Sequence, residues 1–311
     1  MGKQLAGERR KQVLEALNDN GPLSVAVLGE ILRPKTQLRG IRKVVQRLKE
    51  QGLLTVHFES MPYASGHFYR ISHDLEAREK IARWLGISTA DLRQPKFFSK
   101  ELQHTTKCAL WAAFLRNGFP DAVLVRDLKV IKRRIYRTLA DYSEQDRDMV
   151  PDIVLSFLGE MVRDTVSIGF EIERTRKSDK RLAAKLSKVI SHSVLDGVVY
   201  VCEAGGIKDS IRGVLERQQL LQAPRIRHYG SAFILFTDNS IVSAQRQPKL
   251  YNVEGKAVSL SSWITTLRKM PSDFRRDSHF LIHEFVDPSR STNQTATEQL
   301  RKNEFETNSN S

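Results

Sequence analysis

The amino-acid sequence predicts a protein of the α+β or α/β class, in which a small N-terminal unit precedes a larger unit built on a mixed sheet. Two observations lead to this prediction. The first 73 residues contain three short helical patterns followed by two strand patterns, whereas residues 150–237 alternate strands with helices. Such alternation is typical of a sheet covered by helices. A chain of 311 residues is also long enough for two modest domains.

The N-terminal unit begins with a helical pattern that ends before Gly21, and Ser24 can cap a second short helix. A third helix is expected over residues 36–51, where Ile41, Val45 and Leu48 form an apolar stripe. Two strand patterns joined by a turn follow. Helix, helix, basic helix and hairpin is the order of a winged helix-turn-helix.

The polar face of the third helix is rich in basic and amide side chains. In winged helices the third helix enters the major groove, where such side chains contact bases and phosphates. A solvated basic face and a protein-interaction module are the alternatives. The side chains expected to contact DNA are Gln37, Arg39, Arg42, Lys43, Gln46 and Arg47.

The charge of the chain agrees with a nucleic-acid partner. There are 50 Lys and Arg against 36 Asp and Glu, a net charge of +14, and a protein this basic most often binds a polyanion. A solvated surface or an anionic membrane are the other interpretations.

No apolar run approaches the ~20 residues of a spanning helix, and the two cysteines lack metal-binding spacing. We therefore expect a cytoplasmic protein without membrane insertion.

Three carboxylates stand out in the larger unit. Asp152 opens an apolar strand, residues 159–164 form a polar hairpin loop, and residues 166–173 form the returning strand. Alternation at period two puts Glu171 and Glu173 on one face of that strand. Carboxylates crowded in this way need a cation between them, and hard oxygen ligands suit Mg²⁺ or Mn²⁺.

Pro151-Asp152 and Glu171-Ile172-Glu173 resemble the PD-(D/E)xK motif of the nuclease superfamily that includes many restriction endonucleases, with glutamate where lysine is usual. The wider arrangement over residues 8–236 is similar to the plasmid mobilisation relaxases of the MobC class and to the related replication-relaxation proteins. The resemblance implies a restriction-endonuclease-like mixed-sheet domain.

The resemblance also implies roles for the acidic residues in metal-dependent phosphodiester cleavage. Asp152 and Glu171 are expected to be direct metal ligands, and Glu173 to position or deprotonate water or to bind a second metal. Lys185 is the candidate for the missing lysine, on helical spacing alone. The alternative is that the two glutamates form an exposed strand face paired with Arg174 and Arg176.

Two further candidates lie on a long helix predicted after Ser99. Glu101 and His104 are one helical turn apart. In endonuclease-like folds the helix ahead of the first motif strand often lends a polar residue to the metal site, and the resemblance implies a histidine near this place. A surface or capping role is the alternative.

Four segments are predicted: a winged helix at 1–73, a helical connector at 74–96, a nuclease-like domain at 97–286 and a polar, disordered tail at 287–311.

The expected function is a relaxase that binds double-stranded DNA of a plasmid origin of transfer and cuts one strand, with an accessory mobilisation protein as a candidate partner. The alternatives are a non-enzymatic repressor or replication initiator with an inactive nuclease-like domain, and a restriction-type enzyme that cuts both strands.

Overall fold

The structure is a computed structural model. It describes residues 2–32, 38–59, 66–92, 99–125, 150–159, 165–192, 195–222, 233–237 and 248–269. The N-terminal elements are helix α1 (Gly2–Asn20), strand β1 (Leu23–Ser24), helices α2 (Val25–Ile31) and α3 (Leu38–Glu50), strands β2 (Leu54–Glu59) and β3 (Gly66–Ile71), and helix α4 (Leu75–Leu85).

Local chemistry sets the ends of these helices. The Ser24 hydroxyl accepts a hydrogen bond from the Val27 N–H and caps α2. The Asp74 carboxylate accepts one from the Ala77 N–H and caps α4 in the same way. After α4 the chain turns at Gly86, whose φ of 70° is left-handed and favours glycine.

A three-stranded antiparallel sheet completes this first unit, with strand order β1-β3-β2. Its core contains Leu14, Leu28, Ile41 and Leu48, which are fully or almost fully buried. Since Ile41, Val45 and Leu48 recur at helical spacing, α3 packs on this core by one face and exposes the other.

A seven-stranded mixed sheet forms the second unit. Its elements are helix α5 (Ser99–Gly118), strands β4 (Val123–Val125), β5 (Ile153–Phe157) and β6 (Val166–Glu173), helix α6 (Asp179–His192), strand β7 (Gly197–Cys202), helix α7 (Gly205–Arg217), strands β8 (Ile234–Thr237), β9 (Leu250–Asn252) and β10 (Ala257–Val258), and helix α8 (Leu260–Lys269). The strand order is β10-β9-β8-β7-β6-β5-β4, with β6, β7 and β8 parallel and the other neighbours antiparallel.

Strand β7 lies between two parallel neighbours, so each of its residues is buried. Next to it, β6 carries Gly169, where the absence of a side chain allows close packing. A Cβ there would lie 2.6 Å from Leu195 Cδ1 and 3.2 Å from Pro151 Cβ. Glycine therefore lets Pro151 pack against β6 immediately before the candidate ligand Asp152.

Helix α5 contacts both units. Its Ala109 belongs to the apolar core of the first unit, whereas Cys108 and Trp111 belong to that of the second. The Trp111 ring lies 6.0 Å from the Phe170 ring of β6, centroid to centroid. This packing fixes the middle of α5 beside the sheet.

The predicted α+β class, with a winged helix and a mixed sheet, is confirmed. Strand β4 was not predicted, because three residues are too few to show a period. The domain boundaries stay predictions: residues 94–96 of the connector and the tail at 287–311 lie outside the described ranges. Among the described helices, none is long and apolar enough to span a membrane.

Candidate active site

Asp152 is held at the start of β5 by the neighbouring strand. Its Oδ2 accepts a hydrogen bond from the Ile172 N–H at 2.8 Å, and its own N–H donates to the Phe170 carbonyl at 3.0 Å. The aspartate side chain thus takes the place of a backbone acceptor and extends the β5–β6 ladder by one step. The carboxylate is fixed beside the end of β6, where the glutamates lie.

Glu171 and Glu173 share one face of β6, as the alternation predicts. In the parallel register Glu171 lies next to Tyr200 and Glu173 next to Cys202 of β7. The two carboxylate side chains are only 15% and 6% exposed. The alternative of an exposed strand face is therefore wrong for both residues.

Two lysines reach these glutamates. The Lys185 ammonium group of α6 donates to Glu171 Oε1 and, at 3.2 Å, to Glu173 Oε1. Lys177, in the turn before α6, also donates to Glu173 Oε1. The Lys185 side chain is 5% exposed, whereas Lys180 on the same helix points to solvent. The structure thus brings the predicted lysine onto the predicted carboxylates.

Burial and crowding change the acidity of this cluster. Burial raises the pKa of Glu171 to about 7; Lys185 opposes this rise, and the carboxylates of Asp152 and Glu173 add to it. For Lys185 burial alone would lower the pKa, but the adjacent Glu171 outweighs it and the pKa is raised. Lys185 is therefore a permanent cation, and Glu171 is the group that titrates near neutrality.

His104 joins the site from α5. Its Nε2 lies 3.2 Å from Asp152 Oδ2. Burial would lower the pKa of His104, but the hydrogen bond to Asp152 outweighs this effect and raises it. Glu101 lies in the same helix, but its side chain is outside the part of the chain that is described. Of the two helix candidates, His104 is the one that the structure places at the site.

Tyr200 belongs to the site although the sequence pattern indicated only a buried strand. The residue is fully buried, and its hydroxyl has no hydrogen-bond partner among the described residues. Burial raises the pKa of its hydroxyl, while the nearby Lys185 opposes the rise and Glu171 adds to it. A tyrosine inside an otherwise aliphatic strand, at the register position of Glu171, is the signal that could have identified it.

The predicted DNA-binding surface is the outer face of α3. Arg39, Arg42, Lys43, Gln46 and Arg47 are all exposed there. Gln46 donates to Glu50 at 2.9 Å. Within the described part of the chain, no ion pair joins the four cations to an acidic group. The remaining candidate, Gln37, lies outside the described residues.

The titration of Glu171 predicts a pH dependence of stability. We expect the free energy of unfolding of the metal-free protein to fall as the pH rises from 4.5, the ordinary pKa of the Glu171 carboxyl, to about 7, its pKa in the folded protein. Below this window both states hold the proton; within it, the folded state retains a proton that the unfolded chain releases, so rising pH favours unfolding. Urea titrations in EDTA across this range would measure the effect.

Glu171→Gln is expected to remove this component, and the exposed Glu216→Gln is the control that should keep it. An unchanged pH dependence in Glu171→Gln would contradict the raised pKa.

Comparisons with known proteins add little to this geometry. No family model matches the chain, and no curated protein matches it. The solved structure of TrmBL2, an archaeal chromatin protein described as showing a novel mode of DNA binding, aligns with 84% of this chain and 81% of its own at 13% identity, with a TM-score of 0.18. A TM-score of this size supports no inference about fold or function.

Proposed function

We propose that the protein is a metal-dependent DNA endonuclease that cuts one strand of a duplex, the activity implied by the resemblance of its motifs to those of MobC-class relaxases. The observation that carries the proposal is the convergence of Asp152, Glu171, Glu173 and Lys185 at one end of β6. Residues from two strands and a helix, well separated in the sequence, meet in a nearly buried site. Clusters of buried titratable groups of this kind are characteristic of catalytic sites.

The three carboxylates offer the oxygen ligands that a hard divalent cation prefers. In the described part of the chain, however, the group of ligand atoms that lie within 4.8 Å of one another is that of His104, Cys108 and Asp152, not that of the three carboxylates. Asp152 and Glu171 would hold Mg²⁺ or Mn²⁺, since both offer carboxylate oxygen. Among the described residues, no hydrogen bond engages Asp152 Oδ1 or Glu171 Oε2. The Tyr200 hydroxyl beside Glu171, which has no hydrogen-bond partner among the described residues, also suggests a site built for a further polar group. When bound, the metal ion would polarise the scissile phosphate and lower the pKa of a coordinated water.

Three side chains of the protein would have further roles in the reaction. Lys185 supplies a buried positive charge for the negative charge that develops on the phosphate. Glu173 accepts hydrogen bonds from Lys177 and Lys185, which favours a positioning role over that of general base. His104 holds Asp152 in place through its contact with Oδ2.

The winged helix would deliver the duplex to this site. The exposed cations of α3 have no acidic partners in the described part of the chain and suit phosphates and guanine edges. The net charge of +14 would attract DNA over a longer distance. A plasmid origin as target and an accessory mobilisation protein as partner belong to this proposal.

Removing two of these cations tests the DNA-binding surface. Arg42→Ala/Arg47→Ala is expected to weaken duplex binding and to reduce the slope of log affinity against log salt by about 1 for each arginine that contacts a phosphate. Fluorescence anisotropy at several salt concentrations would measure both quantities.

Arg212→Ala/Arg217→Ala is the matched control, because it removes the same charge from α7, where both arginines are ion-paired. Equal weakening by the two double variants would mean that α3 has no special role.

The proposed reaction is tested on supercoiled plasmid with Mg²⁺, with Mn²⁺ and with EDTA. Open circles formed with metal and absent with EDTA would support a nicking enzyme. Linear DNA as the first product would favour the restriction-type enzyme instead.

Binding without cleavage in either metal would favour the second candidate, a non-enzymatic DNA-binding protein. One observation supports that candidate: Lys177 and Lys185 already neutralise Glu171 and Glu173 within the fold.

A further inference from the structure

Three different metal-binding side chains meet on the α5 side of the sheet. His104 and Cys108 are one helical turn apart on α5, and the Cys108 Sγ lies 3.7 Å from His104 Nδ1 and 3.9 Å from Nε2. The same Nε2 lies 3.2 Å from Asp152 Oδ2. One ligand atom from each residue falls within 4.8 Å of the others. An imidazole nitrogen, a thiol sulfur and a carboxylate oxygen are thus grouped around one point.

From this grouping we infer that His104, Cys108 and Asp152 form a binding site for Zn²⁺. The spacing fits: tetrahedral zinc, with bonds of about 2.0–2.3 Å, separates its ligand atoms by roughly 3.3–3.6 Å. The distances of 3.2 Å and 3.9 Å from Nε2 to the carboxylate and the thiol bracket that range. The third pair, Cys108 Sγ and the Asp152 carboxylate, lies within 4.8 Å, and the side chains would close around the ion as it binds.

The donor set distinguishes this ion from the one in the proposed active site. Thiolate and imidazole ligands favour zinc over magnesium or manganese, which prefer oxygen throughout. The Glu171 side of the cluster offers carboxylate oxygen alone, whereas the α5 side adds nitrogen and sulfur. Asp152 lies between them and is shared. Zinc binding by His104 and Cys108 does not depend on nuclease activity, so the two proposals can fail separately.

The surroundings suit a bound ion that keeps one open position. The side chains of His104 and Asp152 are 34% and 20% exposed, so an ion can enter from solvent. Cys108 is 5% exposed and closes the inner side. The Ile172 N–H donates to the carboxylate that would ligate the ion, as outer-shell donors commonly do. Three protein ligands leave the fourth tetrahedral position for water.

The local fold holds the ligands in place before any ion binds. Helical spacing aligns His104 and Cys108 on one face of α5, and Trp111, three residues after Cys108, packs against Phe170 of β6. The strand ladder fixes Asp152 independently. The ion would replace the proton shared by His104 and Asp152 and that of the thiol, so its binding releases protons.

Cobalt substitution tests the site directly in the 311-residue chain, freed of metal with a chelator. Titration with Co²⁺ is expected to produce one equivalent of a thiolate-to-cobalt charge-transfer band, which added Zn²⁺ abolishes. Cys108→Ser should lose this band. Cys202→Ser is the matched control, because that buried thiol contacts the Tyr200 carbonyl instead and its loss should leave the band unchanged. Glu171→Gln should also retain it.

His104→Gln provides a second variant at a partly exposed position, which protects the test if Cys108→Ser fails to fold. This variant should lower the affinity for Co²⁺ by more than about tenfold. Loss of a group that only hydrogen-bonds to a metal ligand typically costs about 10- to 100-fold, and loss of a ligand should cost at least as much. Absence of a thiolate–cobalt band in the wild-type protein would overturn the inference. So would a band that survives in folded Cys108→Ser or an unchanged affinity in His104→Gln.

Discussion

Replacement of Glu171 by glutamine is expected to slow strand cleavage by more than about 100-fold, because it removes a carboxylate that would bind the metal directly. Loss of a group that only hydrogen-bonds to a metal ligand already costs about 10- to 100-fold in activity. The substitution keeps the size of the side chain, and its amide oxygen can still accept the Lys185 hydrogen bond. The fold and the α3 surface should therefore be preserved. Affinity for duplex DNA is expected to remain at the wild-type value.

The rate of conversion of supercoiled to open-circular plasmid, measured at saturating protein with Mg²⁺, gives the effect on cleavage. Anisotropy with a fluorescent duplex in EDTA gives the affinity. Glu216→Gln on α7 is the control, since it removes an exposed glutamate that pairs with Arg212. Cleavage by Glu171→Gln at the control rate would exclude Glu171 from the reaction.

Replacement of Lys185 by methionine is expected to lower the free energy of unfolding by about 3–5 kcal/mol, the usual cost of removing one partner of a buried ion pair. The ammonium group bonds to both Glu171 and Glu173 in a site that is nearly closed to solvent. Without it, Glu171 loses its only hydrogen-bonded cation among the described residues. The destabilisation should shrink as the pH falls and Glu171 takes up a proton.

Urea unfolding in EDTA measures this change. Lys180→Met is the matched control, because it removes an exposed lysine from the same helix and should alter stability by no more than about 0.5 kcal/mol. The double variant Lys185→Met/Glu171→Gln should lose less than the sum of the single changes, since the neutral amide no longer needs the cation. Equal stability of Lys185→Met and Lys180→Met would contradict the ion-pair cluster.

Several elements were predictable because their cause is local. The alternation from Ile168 to Glu173 puts the two glutamates on one face whatever the strand packs against. The cap at Ser24 and the left-handed turn at Gly86 follow from side-chain and backbone chemistry within a few residues. The apolar stripe of α3 likewise defines which face stays exposed.

Other features are too short or too weak in pattern to be predicted. Strand β4 has three residues, and pairing with β5 rather than its own sequence makes it a strand. Helix α1 extends from Gly2 to Asn20, beyond the apolar pattern around Val13 and Leu17, because a helix continues wherever nothing interrupts it.

The composition of the site depended on contacts between distant residues. Lys177, Lys180 and Lys185 all follow β6 in the sequence. Packing of α6 brings Lys185 to Glu171 and Glu173 while Lys180 stays exposed. The register of β6 against β7 puts Tyr200 beside Glu171. Neither relation can be derived from periodicity, which describes one element at a time.

The sequence by itself determined that three carboxylates lie at strand positions able to converge and that a basic helix faces solvent, because strand and helix periods are properties of the backbone. Only the tertiary structure decided which cations neutralise the carboxylates and that Cys108 and His104 meet Asp152. Those contacts arise from the packing of α5 and α6 against the sheet, which brings together residues that are far apart in the chain.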